Sequence, residues 1–224
     1  MYASASTWLF NVARQVLQAA QTEKVKTSFI SGRETKLTLP AVGAVTLIKS
    51  HEISSEERTA DVARQSSKIL ITVRDPRDAV VSLMQAHKYD FEQALDFVEQ
   101  SARLCFGFAK DRRAQLFEYE TKFFEETGTV AAVTRHLGYE LPDEAITSIH
   151  KALNRAEVEK HISQMPKMPG ILVDAKSGDL LDTKSHWHSH HSGRNGAIGK
   201  WSKALTAKQA AEVQRRLDFY FEKL

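Results

Sequence analysis

Residues 69–82 read Ile-Leu-Ile-Thr-Val-Arg-Asp-Pro-Arg-Asp-Ala-Val-Val-Ser, and this stretch decides the fold. The apolar, β-branched run from Ile69 to Val73 suits a strand buried on both faces, as in a sheet covered by helices. Arg74 then stands at the strand's carboxyl end. Asp75 is a good N-cap and Pro76 suits a first helical position, so the spacing predicts a helix that starts here and carries Ala79–Met84 inward. Free backbone N–H groups at that new helix end favour an anion, and the Arg74 guanidinium adds a two-pronged donor. Ser82, two turns into the helix, offers a hydroxyl from the same side. The competing reading pairs Arg74 with Asp78 or another carboxylate.

Two further stretches share this character. Ala3-Ser4-Ala5-Ser6-Thr7 is a run of small and hydroxyl residues before a helix predicted over 7–21, which has Trp8, Leu9, Val12, Val16, Leu17 and Ala20 on one face. Small residues let backbone N–H groups approach a phosphate closely, and the hydroxyls of Ser4, Ser6 and Thr7 can complete the cradle. Ala44-Val-Thr-Leu-Ile-Lys49-Ser50-His51 is an apolar strand whose Lys49 and His51, two apart, point the same way at its end. Histidine there suits general-base work, because its ordinary pKa lies near neutral pH. No Gly-Lys-Ser/Thr occurs in the chain, which argues against an ordinary ATP-dependent kinase or NTPase.

The rest alternates strand and helix. Short strands are expected at 27–30 and 35–39, and a polar helix over 55–66. A core helix or helix pair spans 90–112, where the aromatic stripe reads as packing. Leu116 to Glu120 reads as a strand, followed by a helix over 121–137 that Gly138 stops. One or two amphipathic helices follow over 142–164. Residues 165–200 read as one long irregular segment, and a closing helix runs from about Thr206 to Leu224. Within the irregular segment, His186-Trp187-His188-Ser189-His190-His191 invites a zinc reading. Crowded imidazoles and the lack of any thiolate besides Cys105 favour a solvated loop lining a pocket instead.

Composition sets the class. The 224 residues are 42% hydrophobic and 26% charged, which fits one globular domain over 1–224. A net charge of +3 is too small to argue for nucleic acid. The basic residues Lys184, Arg194, Lys200, Lys203, Lys208, Arg215 and Arg216 face one acid, Glu212, in the same stretch, which suits a small polyanion. A single cysteine, Cys105, rules out an internal disulfide and suits a reducing compartment. No membrane-length apolar run and no signal peptide are read, so a cytoplasmic protein is expected. Oligomeric state is not legible.

These segments together resemble the sulfotransferases that use 3′-phosphoadenosine 5′-phosphosulfate (PAPS). Arg74 and Ser82 look like that family's 3′-phosphate segment. Ser4, Ser6, Thr7, Trp8 and Leu9 match its 5′-phosphosulfate loop, with Ala5 in place of a glycine and Ala3 where the family keeps Lys or Arg. That loop normally follows a central strand, and only Met1 and Tyr2 precede it here. Lys49-Ser50-His51 resembles the Lys-Thr-His stretch that carries the general base. Tyr119 looks like a tyrosine near the adenosine. Arg194-Asn195-Gly196 to Trp201 is similar to the segment that folds over the 3′-phosphate, with Asn195 replacing a Lys.

The expected fold is therefore a three-layer α/β/α, P-loop-like domain with a mainly parallel central sheet. The resemblance implies sulfuryl transfer from PAPS, leaving 3′-phosphoadenosine 5′-phosphate (PAP), to a hydroxyl or amine of a small-molecule or glycan acceptor. In that reading His51 is the base, and Lys49 with Ser6 and Thr7 steadies the leaving phosphate. Arg74, Ser82 and Arg194 hold the 3′-phosphate, Trp8 stacks on adenine, and no metal is needed. The alternatives are a PAPS- or PAP-binding module with impaired catalysis and a P-loop-like nucleotide phosphotransferase.

Overall fold

The computed structural model describes residues 1–20, 24–30, 44–51, 64–175, 177–191 and 196–222. Its elements run α1 (Ser6–Ala19), β1 (Lys24–Ile30), β2 (Ala44–Ser50), β3 (Ile69–Val73), α2 (Pro76–His87), α3 (Phe91–Ala109) and β4 (Ala114–Glu118). Then come α4 (Thr127–Leu137), α5 (Asp143–Ala152), α6 (Arg155–Gln164), β5 (Ile171–Val173), β6 (Leu180–Asp182), α7 (Trp201–Ala204), α8 (Ala207–Arg216) and α9 (Asp218–Phe221).

The strands form two parallel pairs and one antiparallel hairpin among the described residues. β1 pairs with β2 in the register Phe29↔Lys49, and β3 pairs with β4 in the register Val73↔Glu118. Alternation along β3 and β4 feeds two cores. Ile71 and Val73 face Val80, Leu83, Leu95 and Val98 of α2 and α3, together with Val213 and Leu217 of the C-terminal helices. Leu70 and Phe117 face Leu9, Val12 and Val16 of α1 and Val130 and Val133 of α4. A two-sided strand needs cover on both faces, and this gives the expected layering of helix, sheet and helix.

The segment Met1–Thr7 runs between the carboxyl ends of the two parallel pairs. The Met1 ammonium donates to the Thr72 carbonyl on β3 at 2.6 Å, while Thr7 meets Lys49 at the end of β2. Helix α2 starts where the sequence predicts, with the Asp75 carboxylate accepting from the Arg77 N–H at 2.9 Å and Pro76 in the first turn. Helix α3 is one continuous helix closed by an Asp90–Gln93 capping box.

Several expectations are corrected. The helix expected over 121–137 begins only at Thr127; Lys122 at φ 55° separates two 3₁₀ turns before it. Residues 165–200 are not structureless: β5 and β6 pair antiparallel, Ile171 opposite Asp182, and the returning chain bridges Leu181 to His188. Asp182 ties that return, accepting from the Lys184 N–H at 2.9 Å, the Ser185 hydroxyl at 2.5 Å and His161 Nε2 at 3.0 Å. The closing helix breaks at Leu217, which is fully buried, and α9 turns Tyr220 onto Arg74. The predicted strand at 35–39 and most of the helix over 55–66 lie outside the described residues. Among the described residues no helix is long and apolar enough to cross a membrane.

Candidate active site

A cavity of about 1130 Å³ opens where the carboxyl ends of β2, β3 and β4 meet the start of α1. Ligand sites of such sheets lie at strand carboxyl ends, and this volume exceeds the usual range for one drug-sized molecule. Ser4, Ser6, Thr7, Trp8, Lys49, His51, Arg74, Ser82, Tyr119 and Gly196 all line it. Arg194 and Asn195 lie outside the described residues.

One wall is the loop before α1. Ala3 and Ala5 take φ 54° and 60°, and Ala5 caps the helix without any side-chain bond to its first N–H groups. A turn of this kind, ending in a free helix N-terminus, forms an anion-binding concavity. Ser4 departs from expectation. Its hydroxyl lies 2.6 Å from Thr72 Oγ1 and donates to the Met1 carbonyl at 2.6 Å, so it fastens the loop to β3 rather than offering a free hydroxyl. Trp8 is likewise fixed: its indole N–H donates to the Leu153 carbonyl at 2.9 Å, and its ring meets Phe123 and His150 edge-on.

The second wall is the end of β2. Lys49 is buried, and Nζ donates to the Thr7 hydroxyl. Removal from water lowers its pKa from 10.5 to about 7. His51 stacks on Tyr2 at 4.4 Å and lies 6.2 Å from Phe29. Desolvation, then the Lys49 charge, pushes its pKa well below the usual 6.5, so the ring is neutral at neutral pH. Its buried Nδ1 has no hydrogen-bond partner among the described residues. Sequence reasoning missed His186, which it placed in a solvated loop. That imidazole is buried against Phe10 and Phe29, its pKa is lowered to about 4 chiefly by burial, and Nε2 has no partner among the described residues.

The third wall centres on Arg74, which is 3% exposed. Its guanidinium donates to the carbonyls of Ala3 and Ala197 at 2.9 Å each and reaches Ser82 Oγ at 3.4 Å. Parallel register sets Tyr119 beside it, so the guanidinium lies 4.1 Å above the Tyr119 ring. Asp78, the competing partner, is 3.6 Å away and does more than balance charge. Its carboxylate accepts from the N–H groups of Gly199 and Trp201 at 2.7 and 2.9 Å, while Arg77 lies 3.9 Å over the Trp201 ring. Residues 196–201 are thereby strapped across the carboxyl end of β3. No sequence signal marked Asp78 for this; its four-residue spacing from Arg74 suggested a simple ion pair.

Tyr119 completes the strap by donating to the Gly196 carbonyl at 2.9 Å. A Cβ on Gly196 would stand 2.1 Å from the Tyr119 hydroxyl oxygen, at φ +47°. Gly196→Ala is therefore expected to push the strap off Tyr119 and lower the melting temperature. Adding Tyr119→Phe removes the clashing oxygen and should restore part of the loss, measured by thermal unfolding of the single and double variants. Full stability in Gly196→Ala alone would contradict this packing.

No curated protein sequence matches the chain. Among solved structures, mouse sulfotransferase SULT7A1 complexed with PAP is 15% identical, with a TM-score of 0.60 over 96% of this chain and 80% of that one. Retinol dehydratase in complex with androsterone and inactive cofactor PAP is 17% identical, with a TM-score of 0.53 over 83% of this chain and 55% of that one. These likenesses show the fold. The sulfotransferase domain family model matches residues 5–224, nearly the whole length, and the chain belongs to that family.

Proposed function

We propose that the chain transfers a sulfuryl group from PAPS to the hydroxyl of a small acceptor with an apolar body. The observation that carries this is one cavity in which the free N-terminus of α1, the buried Lys49, a neutral His51 and the buried Arg74 converge. The residues fit the donor. Arg74 Nε is buried without a hydrogen-bond partner among the described residues, and the Ala3–Ala5 turn leaves its N–H groups uncapped. PAPS supplies, when bound, the activated sulfuryl group and a phosphate leaving group.

In this reading Arg74 and Ser82 bind the 3′-phosphate and Tyr119 holds the strap beside it, while the family resemblance of the sequence alone adds Arg194 and Asn195 to the donor-binding set. Lys49 Nζ, with the Ser6 and Thr7 hydroxyls, stabilises charge that grows on the leaving phosphate. Such preorganised electrostatics is the main lever in phosphoryl-type transfer. His51, which lines the cavity, takes the acceptor's proton. Lys49 stands in for the cation that Ala3 cannot supply. The acceptor's body meets the apolar wall of Leu153, Val158, Leu172, Leu181, Trp187 and Ile198, and Leu172 and Ile198 are exposed at its lip. Such a wall favours an apolar alcohol or phenol over a glycan.

A turnover assay with PAPS and a panel of phenols, alkyl alcohols, amines and oligosaccharides tests this. Turnover with an apolar alcohol or phenol is expected. Failure on every acceptor, with PAP binding intact, would favour the alternative that Ala3 has left a binding module without catalysis.

Lys49 gives a second test. Its pKa of about 7 in the free protein should rise when a polyanion binds beside it. Protonated lysine is the form that binds, so PAP affinity should be flat below about pH 7 and fall as pH rises above it. Calorimetry at pH 8 in two buffers of different ionisation enthalpy should report uptake approaching one proton per PAP, and Lys49→Met should abolish that uptake. Equal heats in both buffers would contradict the assignment.

A further inference from the structure

The imidazoles after β6 do not act as one cluster. His186 turns towards Phe29 and the Lys49 end of the cavity, whereas His188 and His190 converge on Asp179, just before β6. Asp179 Oδ2 lies 2.7 Å from His188 Nδ1 and 2.9 Å from His190 Nδ1, and the three ligand atoms fall within 4.8 Å of one another. Oδ1 is held separately, by the Ser189 hydroxyl at 2.5 Å and the His190 N–H at 3.3 Å. The carboxylate is thus oriented by groups that leave one oxygen for the two rings. Hydrogen bonds of this kind orient the ligating groups in metal sites.

We propose that Asp179, His188 and His190 bind one divalent transition-metal ion of the zinc type. A neutral imidazole can present Nδ1 as a lone pair with its proton on Nε2, and an ionised carboxylate needs no further change. Two nitrogens and one carboxylate oxygen suit a borderline cation such as zinc, with metal–ligand bonds of about 2.0–2.2 Å. At that length, tetrahedral ligand atoms stand about 3.3 Å apart, so the two N···O gaps need open by only about half an ångström. The turn supplies this through small rotations of two partly exposed rings. His188 and His190 line the large cavity, so the ion would sit in its wall, with a remaining coordination position for water or an acceptor hydroxyl. The site is independent of the sulfuryl-transfer reading, whose steps use no metal. The crowding that argued against zinc in the sequence is relieved because Asp179 recruits only two of the four rings.

The test is calorimetric titration of the chelator-treated full chain with Zn²⁺, alongside the visible spectrum with Co²⁺. We expect one Zn²⁺ per chain at micromolar affinity or tighter and a Co²⁺ spectrum of tetrahedral or five-coordinate intensity. His190→Gln and Asp179→Asn should each weaken binding by at least about 10-fold, the loss that even a supporting residue's removal causes. His161→Gln, whose imidazole pairs with Asp182, should bind as the unaltered chain does. Melting curves of the variants without metal show that each is folded; if Asp179→Asn is not, His190→Gln and the Co²⁺ spectrum carry the test. No binding tighter than the millimolar range, an octahedral Co²⁺ spectrum, or undiminished affinity in His190→Gln would overturn the site.

Discussion

Replacing His51 by glutamine is expected to lower sulfuryl turnover by about 10²–10⁴-fold, the usual contribution of a positioned general base. PAP binding should hold within a few-fold, because the glutamine fills the same space beside Tyr2 and Phe29 and makes no demand on Arg74. The pH profile adds a second constraint. A base works in its neutral form, and desolvation with the Lys49 charge pushes the His51 pKa well below 6.5. The acid limb of turnover should therefore lie below pH 6.5, not at it. A variant that keeps its rate, or a profile that already falls through pH 6.5–7, would remove His51 from the base role. His186 would be the next candidate, since it lines the same cavity and its Nε2 has no hydrogen-bond partner among the described residues.

Arg74→Ala is the other large effect. Each charge-assisted hydrogen bond contributes roughly 1.5–3 kcal/mol, so losing even one contact to the 3′-phosphate should weaken PAP binding about 10-fold or more. The variant also frees the Ala3 and Ala197 carbonyls and strips the Tyr119 face, so a lower melting temperature is expected alongside. The two effects are separable. Weaker binding of PAP relative to 5′-AMP reports the 3′-phosphate contact, whereas a uniform loss for both ligands reports only a loosened strap. Ser82→Ala should follow the same pattern more weakly, because its hydroxyl sits 3.4 Å from the guanidinium and carries no charge.

Much of this site was legible because its parts are local. Five β-branched or apolar residues, an arginine and an Asp-Pro cap can be read without knowing what lies beside them, and Arg74 and α2 stand where that reading puts them. Lys49 and His51 follow from strand alternation in the same way. What could not be read depends on long-range partners. Ser4 points at Thr72 because Met1–Thr7 runs between two strand pairs, and no local pattern says so. Asp78 grips the N–H groups of residues more than a hundred positions away, where spacing alone suggested a helical ion pair. The hairpin of β5 and β6 is made of three-residue strands, too short for periodicity to register. Asp179 joins His188 and His190 only because that hairpin folds back.

Thermal unfolding with excess PAP, with 5′-AMP and ADP as controls, tests the proposed 3′-phosphate site most directly. A ligand at about 100 times its dissociation constant adds about 2.7 kcal/mol, or about 5–10 °C for a chain of this size. A rise of that order with PAP and little change with 5′-AMP or ADP is the predicted result. Equal shifts with all three, or none with PAP, would contradict it.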